Sequence, residues 1–90
     1  MNIQIRKAKK DDMKHVIKLI NELAVFEREP NAVVISSDDL IKDGFGDSPL
    51  FSCFVATVND EISGMCLGYP RYSTWKGPTM HLEDLIVTKK

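Results

Sequence analysis

Ile3 and Ile5 alternate with Asn2, Gln4 and Arg6, a period of two that predicts a first strand with one buried face. The period then changes. Met13, Val16, Ile17, Ile20, Leu23 and Ala24 recur at helical spacing, with Lys14 and Lys18 on the opposite face. A helix is therefore predicted from about Asp11 to Phe26, with Asp11 and Asp12 supplying the cap and the first-turn charge. Pro30 and Asn31 mark the loop after it. Ser36 and Asp39 form a short-armed capping box for a second helix, which Gly44 is suited to end. The run Gly44-Phe45-Gly46-Asp47-Ser48-Pro49 follows a helix, precedes a strand and lacks the Lys-Ser/Thr ending of a phosphate loop, so it is read as a turn. Leu50 to Val58 and Ile62 to Tyr69 flank the polar turn Asn59-Asp60-Glu61 and predict a hairpin. Gly64 and Gly68 in the returning strand imply a bulge or a closely approached backbone. Pro70 is expected to end that strand, Arg71 to Pro78 to form a loop carrying Tyr72 and Trp75, and Thr79 to about Val87 to be the last strand.

The order strand, helix, helix, strand, strand, strand predicts an α/β fold, an antiparallel four-stranded meander with two N-terminal helices packed on it. Composition narrows the class. Ninety residues make one small domain, which buries only about 60% of the surface its unfolded chain exposes. With 43% hydrophobic and 28% charged residues the chain is an ordinary globular one. A net charge of -1 and a pI near 6.1 give no general attraction for nucleic acid or acidic lipid. The basic spots Lys7-Lys9-Lys10 and Lys89-Lys90 are read as solvated ends. No signal-peptide pattern and no membrane-spanning apolar run is present in the sequence, so a cytoplasmic location without membrane or nucleic-acid partners is expected. Cys53 and Cys66 lie in strand-like patterns and form no metal-ligand cluster with the two separated histidines. A disulfide is conceivable if their strands are neighbours, but free buried thiols are the preferred expectation.

One segment breaks the pattern chemically. In His81-Leu82-Glu83-Asp84-Leu85-Ile86-Val87, two carboxylates sit inside an otherwise apolar strand. Burying an ionised carboxylate without a partner is costly, so pairing, a raised pKa or solvent access is expected there. In a regular strand Glu83 and Asp84 point to opposite faces, which excludes a dyad sharing one proton. A bulge would relax that inference. Bland alternatives stand beside the chemical ones: Glu83 sitting where the strand meets solvent or paired with Arg71 or Lys76, Glu27 and Glu29 as helix-end surface, Trp75 as a loop anchor.

Ile5-Arg6-Lys7-Ala8 with Asp11-Asp12, Ile20-Asn21-Glu22-Leu23-Ala24, Asp43-Gly44-Phe45-Gly46 and Leu82-Glu83-Asp84-Leu85-Ile86-Val87 occur in that order over essentially the whole chain. In this combination the chain resembles a GCN5-related N-acetyltransferase, and within that superfamily the diamine and polyamine (spermidine/spermine-type, thialysine-type) enzymes. The resemblance implies transfer of acetyl from acetyl-CoA to a primary amine of a small diamine, polyamine or amino-acid side chain. It implies Glu83 as general base, Leu85, Ile86 and Val87 as the backbone ladder for the pantetheine arm, and Glu27, Glu29 and Trp75 around a cationic substrate. A bulge, as the family has, would turn Asp84 toward that substrate as well. One departure is Ser73, where the resembling enzymes carry an aspartate two residues before the tryptophan; it leaves a shorter amine or an amino-acid side chain open.

The resemblance also implies that residues 1–90 are a single partial domain, its N-terminal half, ending before the Arg/Gln-x-x-Gly-x-Gly/Ala segment that cradles the coenzyme pyrophosphate. The 90 residues alone are accordingly expected to bind acetyl-CoA poorly and to be inactive. The alternative expectation is a catalytically inactive, acetyltransferase-like module that associates through the open edge of its last strand, with a homodimer as the predicted form.

Overall fold

The computed structural model describes residues 2–87; Lys89 and Lys90, read above as a solvated end, lie outside them. The chain forms β1 (Ile3–Lys7), a 3-10 turn (Lys10–Asp12), α1 (Met13–Phe26), α2 (Ser37–Gly44), β2 (Ser52–Val58), β3 (Glu61–Ser73) and β4 (Gly77–Val87). The four strands make one antiparallel sheet in the order β1-β2-β3-β4. The predicted α/β meander is thus the observed one.

The apolar stripe of α1 is what joins the layers. Met13, Val16 and Leu19 are buried against Cys53 and Val55 of β2, Met65 and Leu67 of β3, and Ile86 of β4, with Leu40 of α2 closing the cluster. Helix α2 begins as its sequence requires. The Asp39 amide donates to Ser36 Oγ at 3.3 Å and the Ser36 amide donates to Asp39 Oδ2 at 2.8 Å, which completes the reciprocal cap. Gly44 is the last helical residue rather than a left-handed cap; the Phe51 ring lies where its side chain would be. Just beyond the cap residue Glu27, helix α1 is closed by Arg28, whose φ of 63° lets the Glu29 amide donate back to the Ala24 carbonyl at 2.7 Å.

The helix start differs from expectation. Asp11 and Asp12 fall in the 3-10 turn, and the Asp12 side chain does not cap α1. It turns back instead, accepting from the Lys9 amide at 2.7 Å and from both terminal nitrogens of Arg6 at 2.7 and 3.1 Å. The Arg6 hydrogen bond, with that from the Lys9 amide and the charges of both residues, holds the Asp12 carboxyl below the ordinary value of 3.8 against the opposing effect of burial. Strand β1 is thereby tied to the head of α1.

The second half of the chain holds the larger surprise. Asn59 and Asp60, both at positive φ, close the β2–β3 hairpin as a two-residue turn. Strand β3 then runs through Pro70 to Ser73 and pairs with a β4 that starts at Gly77, so most of the expected loop is a ribbon. Pro70 is tolerated because β2 stops pairing at Gly68, which leaves β3 an edge on that side. The turn is built locally. Ser73 Oγ accepts from the amides of Trp75 and Lys76 at 3.2 and 3.1 Å, and Gly77 takes φ +83°. Cys53 and Phe54 face opposite sides of β2, and Cys66 pairs with Phe54, so the two thiols lie on opposite faces and are free. Among the described residues no helix is long and apolar enough to cross a membrane.

Candidate active site

The β3–β4 register steps by one residue in the acidic segment. Leu67 pairs with Asp84 and Gly68 with Leu82, leaving Glu83 as the extra residue of a bulge. Gly68 makes this possible, since its missing side chain would stand 3.0 Å from the His81 carbonyl oxygen. The bulge overturns strict alternation. Asp84 shares the helix-facing side of the sheet with Met65, Leu67 and Ile86, while Glu83 reaches back along that side to bring Oε1 within 3.7 Å of His81 Nε2. Neither Arg71 nor Lys76 pairs with Glu83; Arg71 approaches the other nitrogen of the same imidazole at 3.3 Å.

Three carboxylates meet here. Burial raises the Asp84 carboxyl above the ordinary value of 3.8, and the negative charges of Glu83 and Glu27 raise it further. Glu27 is the C-terminal cap residue of α1, so the helix that fills the core also delivers an acid to the bulge. Among the described residues no cation pairs with Asp84 or Glu27. Such an arrangement is unfavourable when empty and suits a cationic guest.

The other predicted residues are distributed around this centre. The sheet order leaves one edge of β4 unpaired among the described residues, so backbone groups of Leu85, Ile86 and Val87 on that edge are free to bind an extended ligand. Their side chains divide: Ile86 is core, whereas Leu85 and Val87 lie exposed on the face away from α1. Glu29 lies beyond the helix cap and makes no contact with the acidic group, and Trp75, 93% exposed, caps the ribbon tip. Glu83 is six residue steps along β4 from Gly77, which is roughly 20 Å of strand. His81 is the residue that sequence reasoning passed over. Only the hairpin register places it opposite Tyr69 and beside Arg71, and that register depended on reading Arg71 to Pro78 as strand. Among the described residues there is no group of His, Cys, Asp and Glu suited to a metal ion. A groove of about 580 Å³ lined by Arg6, Asp12, His15 and Glu61 contains none of the predicted site residues.

No family model matches the chain. Individual relatives do. It is 41% identical over 93 aligned positions to the thialysine N-epsilon-acetyltransferase of Bos taurus, an alignment covering 94% of this chain and 55% of that one. It is 40% identical over 93 positions to the spermidine/spermine N(1)-acetyltransferase-like protein 1 of Homo sapiens, covering 96% of this chain and 13% of that one. Its relatives are GCN5-related N-acetyltransferases. The fold agrees: an aminoglycoside acetyltransferase from an uncultured soil metagenomic sample superposes with a TM-score of 0.68 at 23% identity over 96% of this chain and 56% of that one. A possible acetyltransferase from Clostridium difficile gives 0.69 at 23% identity over 99% and 59% of the two chains. The chain spans about half the length of the acetyltransferases of thialysine type that it matches. The resemblance to diamine and polyamine acetyltransferases is thus matched by sequence relatives, and the four-stranded meander by structural ones.

Proposed function

We propose that the protein is an N-acetyltransferase that moves acetyl from acetyl-CoA to a primary amine of a small diamine, polyamine or amino-acid side chain. The observation that carries this reading is the convergence of Glu27, Glu83 and Asp84 at a bulge on an open-edged strand. An ammonium substrate is attracted by those acids but cannot attack until it loses a proton. Glu83, which is open to solvent, accepts that proton directly or through one water, and the freed nitrogen attacks the thioester carbonyl. The C–N bond forms, the C–S bond breaks, and coenzyme A leaves as its thiol, its sulfur taking up, by way of water, the second proton that the nitrogen sheds as the amide forms. Asp84 and Glu27 bind and orient the cation, Leu85, Ile86 and Val87 offer backbone hydrogen bonds to the pantetheine arm, and Glu29 and Trp75 flank longer substrates. Ser73 carries no weight for or against a polyamine, because its hydroxyl is committed to the turn.

Incubating the full-length protein that carries these residues with acetyl-CoA and a panel of diamines, polyamines and lysine analogues, read by mass spectrometry, tests the reading. An acetylated amine is expected, and Glu83→Gln is expected to lower turnover while sparing coenzyme binding. Absence of product from every amine would sink the proposal. A second reading has its own observation: the unpaired edge of β4 adjoins an exposed apolar face containing Ile5, Phe54, Leu85 and Val87. We propose homodimerisation over that surface, and light scattering that finds a monomer at all concentrations would remove it.

A further inference from the structure

Three side chains on the projecting ribbon form a chain of contacts that ends at the proposed base. The Tyr69 ring packs on the His81 imidazole with centroids 5.0 Å apart and a tilt of 49°. Arg71 Nη1 stands 3.3 Å from His81 Nδ1, and His81 Nε2 stands 3.7 Å from Glu83 Oε1. Donor chemistry decides how the ring is protonated. A guanidinium has only donors, so Nδ1 must offer its lone pair, and the single hydrogen of the neutral ring then sits on Nε2. That hydrogen is aimed at Glu83.

We infer that His81, held by Tyr69 and Arg71, is a positioning residue that presents Nε2–H to Glu83 and fixes the orientation of its carboxylate. The inference rests on the reading of Glu83 as base. Without such a contact the Glu83 side chain, 55% exposed and placed on a bulge beside two other acids, has little to hold it in one rotamer. A contact of 3.7 Å is long for a hydrogen bond, as such contacts often are before substrate binds, and it shortens as the site closes on an amine. Engaging Oε1 leaves Oε2 to take the substrate proton. His81 does not relay that proton onward: Nε2 is already protonated and Nδ1 is occupied by Arg71, so the proton leaves Glu83 to water.

Long-range proton–nitrogen correlation spectra of the labelled chain in mildly alkaline buffer read the tautomer directly. His81 is expected as the pure Nε2–H form, with exposed His15 as the internal reference. Arg71→Met should return His81 to the pattern of His15, Arg71→Lys should not, and Glu83→Gln should move the Nε2 signal. In the amine assay His81→Ala should lower kcat about 10- to 100-fold with little change in KM, and His81→Gln, which keeps an N–H donor, should recover most of it. An Nδ1–H or averaged His81 signal in the unaltered chain, or no response to Arg71→Met, overturns the contact. Equal kcat in His81→Ala and the unaltered chain overturns its role. If the unaltered full-length protein acetylates no amine, the base reading fails and the positioning role falls with it, while the tautomer result still reports whether the contact exists.

Discussion

Replacing Gly68 by alanine tests whether the bulge is built by close backbone approach. The added methyl would lie 3.0 Å from the His81 carbonyl oxygen, 3.5 Å from Met80 Sδ and 3.6 Å from Met80 Cγ. Met80 is exposed and free to swing away. The carbonyl is not, because His81 is paired with Tyr69 in the β3–β4 ladder. Reaching an ordinary carbon–oxygen contact of about 3.4 Å requires the two backbones to part by roughly 0.4 Å at the point where the register steps. Overpacking of this kind costs about 1–3 kcal/mol, and the reduced freedom of the unfolded chain returns about 0.4–1 kcal/mol. The net loss of about 1–2 kcal/mol corresponds to a fall in Tm of roughly 5–15 °C for a domain of this size, or about 1 M in the urea midpoint. Gly77 provides the contrast, with φ +83° and nothing within 4 Å of the place an added methyl would take. Alanine there should also destabilise, by about 1 kcal/mol, but through backbone conformation alone. Asparagine, which tolerates positive φ, should recover part of the loss at position 77 and worsen it at position 68. A Gly68→Ala variant that melts at or above the unaltered chain would refute the steric account of the bulge.

Two carboxylates should respond to pH in opposite senses. Asp12→Ala removes the acceptor of three hydrogen bonds and should cost about 2 kcal/mol at neutral pH. Because the folded pKa of Asp12 is depressed, its contribution is present above the ordinary value of 3.8 and lost as pH falls below it, so the thermal melts of the two proteins should converge in acid; a constant difference would contradict the pairing. Asp84 is raised instead, so the unfolded chain releases that proton first and the folded state is penalised as pH climbs from 3.8 through the higher folded value. Asp84→Asn should therefore raise Tm at neutral pH and leave it unchanged in strong acid, and a lower neutral Tm would show that Asp84 has a stabilising partner.

The parts of the fold that were legible in the sequence are those set by local rules. The stripe from Met13 to Ala24, the Ser36–Asp39 box and the Asn59-Asp60 turn each depend on residues within a few positions of one another. The ribbon was not legible because Pro70 and Pro78 read as breakers wherever a third strand is assumed; only the end of β2 at Gly68 shows that β3 is an edge there. The same limit applied to Asp12, whose partner Arg6 lies on the preceding strand. In the site, Glu83 and Asp84 stood out as acids in an apolar strand, but their shared side followed from a register step that Gly68 only hinted at. His81 gave no signal of its own. Its chemistry comes from Arg71 and Tyr69, which the β3–β4 hairpin brings beside it.

These observations bear on why the acidic pair exists. A chain this short has little stability to spare, yet it sets Asp84 against Glu83 and Glu27 and gives none of the three a neutralising lysine or arginine among the described residues. Arg71 is turned onto the imidazole, and it is the imidazole that approaches Glu83. If the acids served stability, a direct pair with Arg71 would be the better use of the same residues. The bulge adds a second local cost, an unpaired ladder position at Glu83 on a strand whose other edge is already open. Uncompensated charge and interrupted pairing at one place are the features on which the proposed amine-binding role of this strand rests.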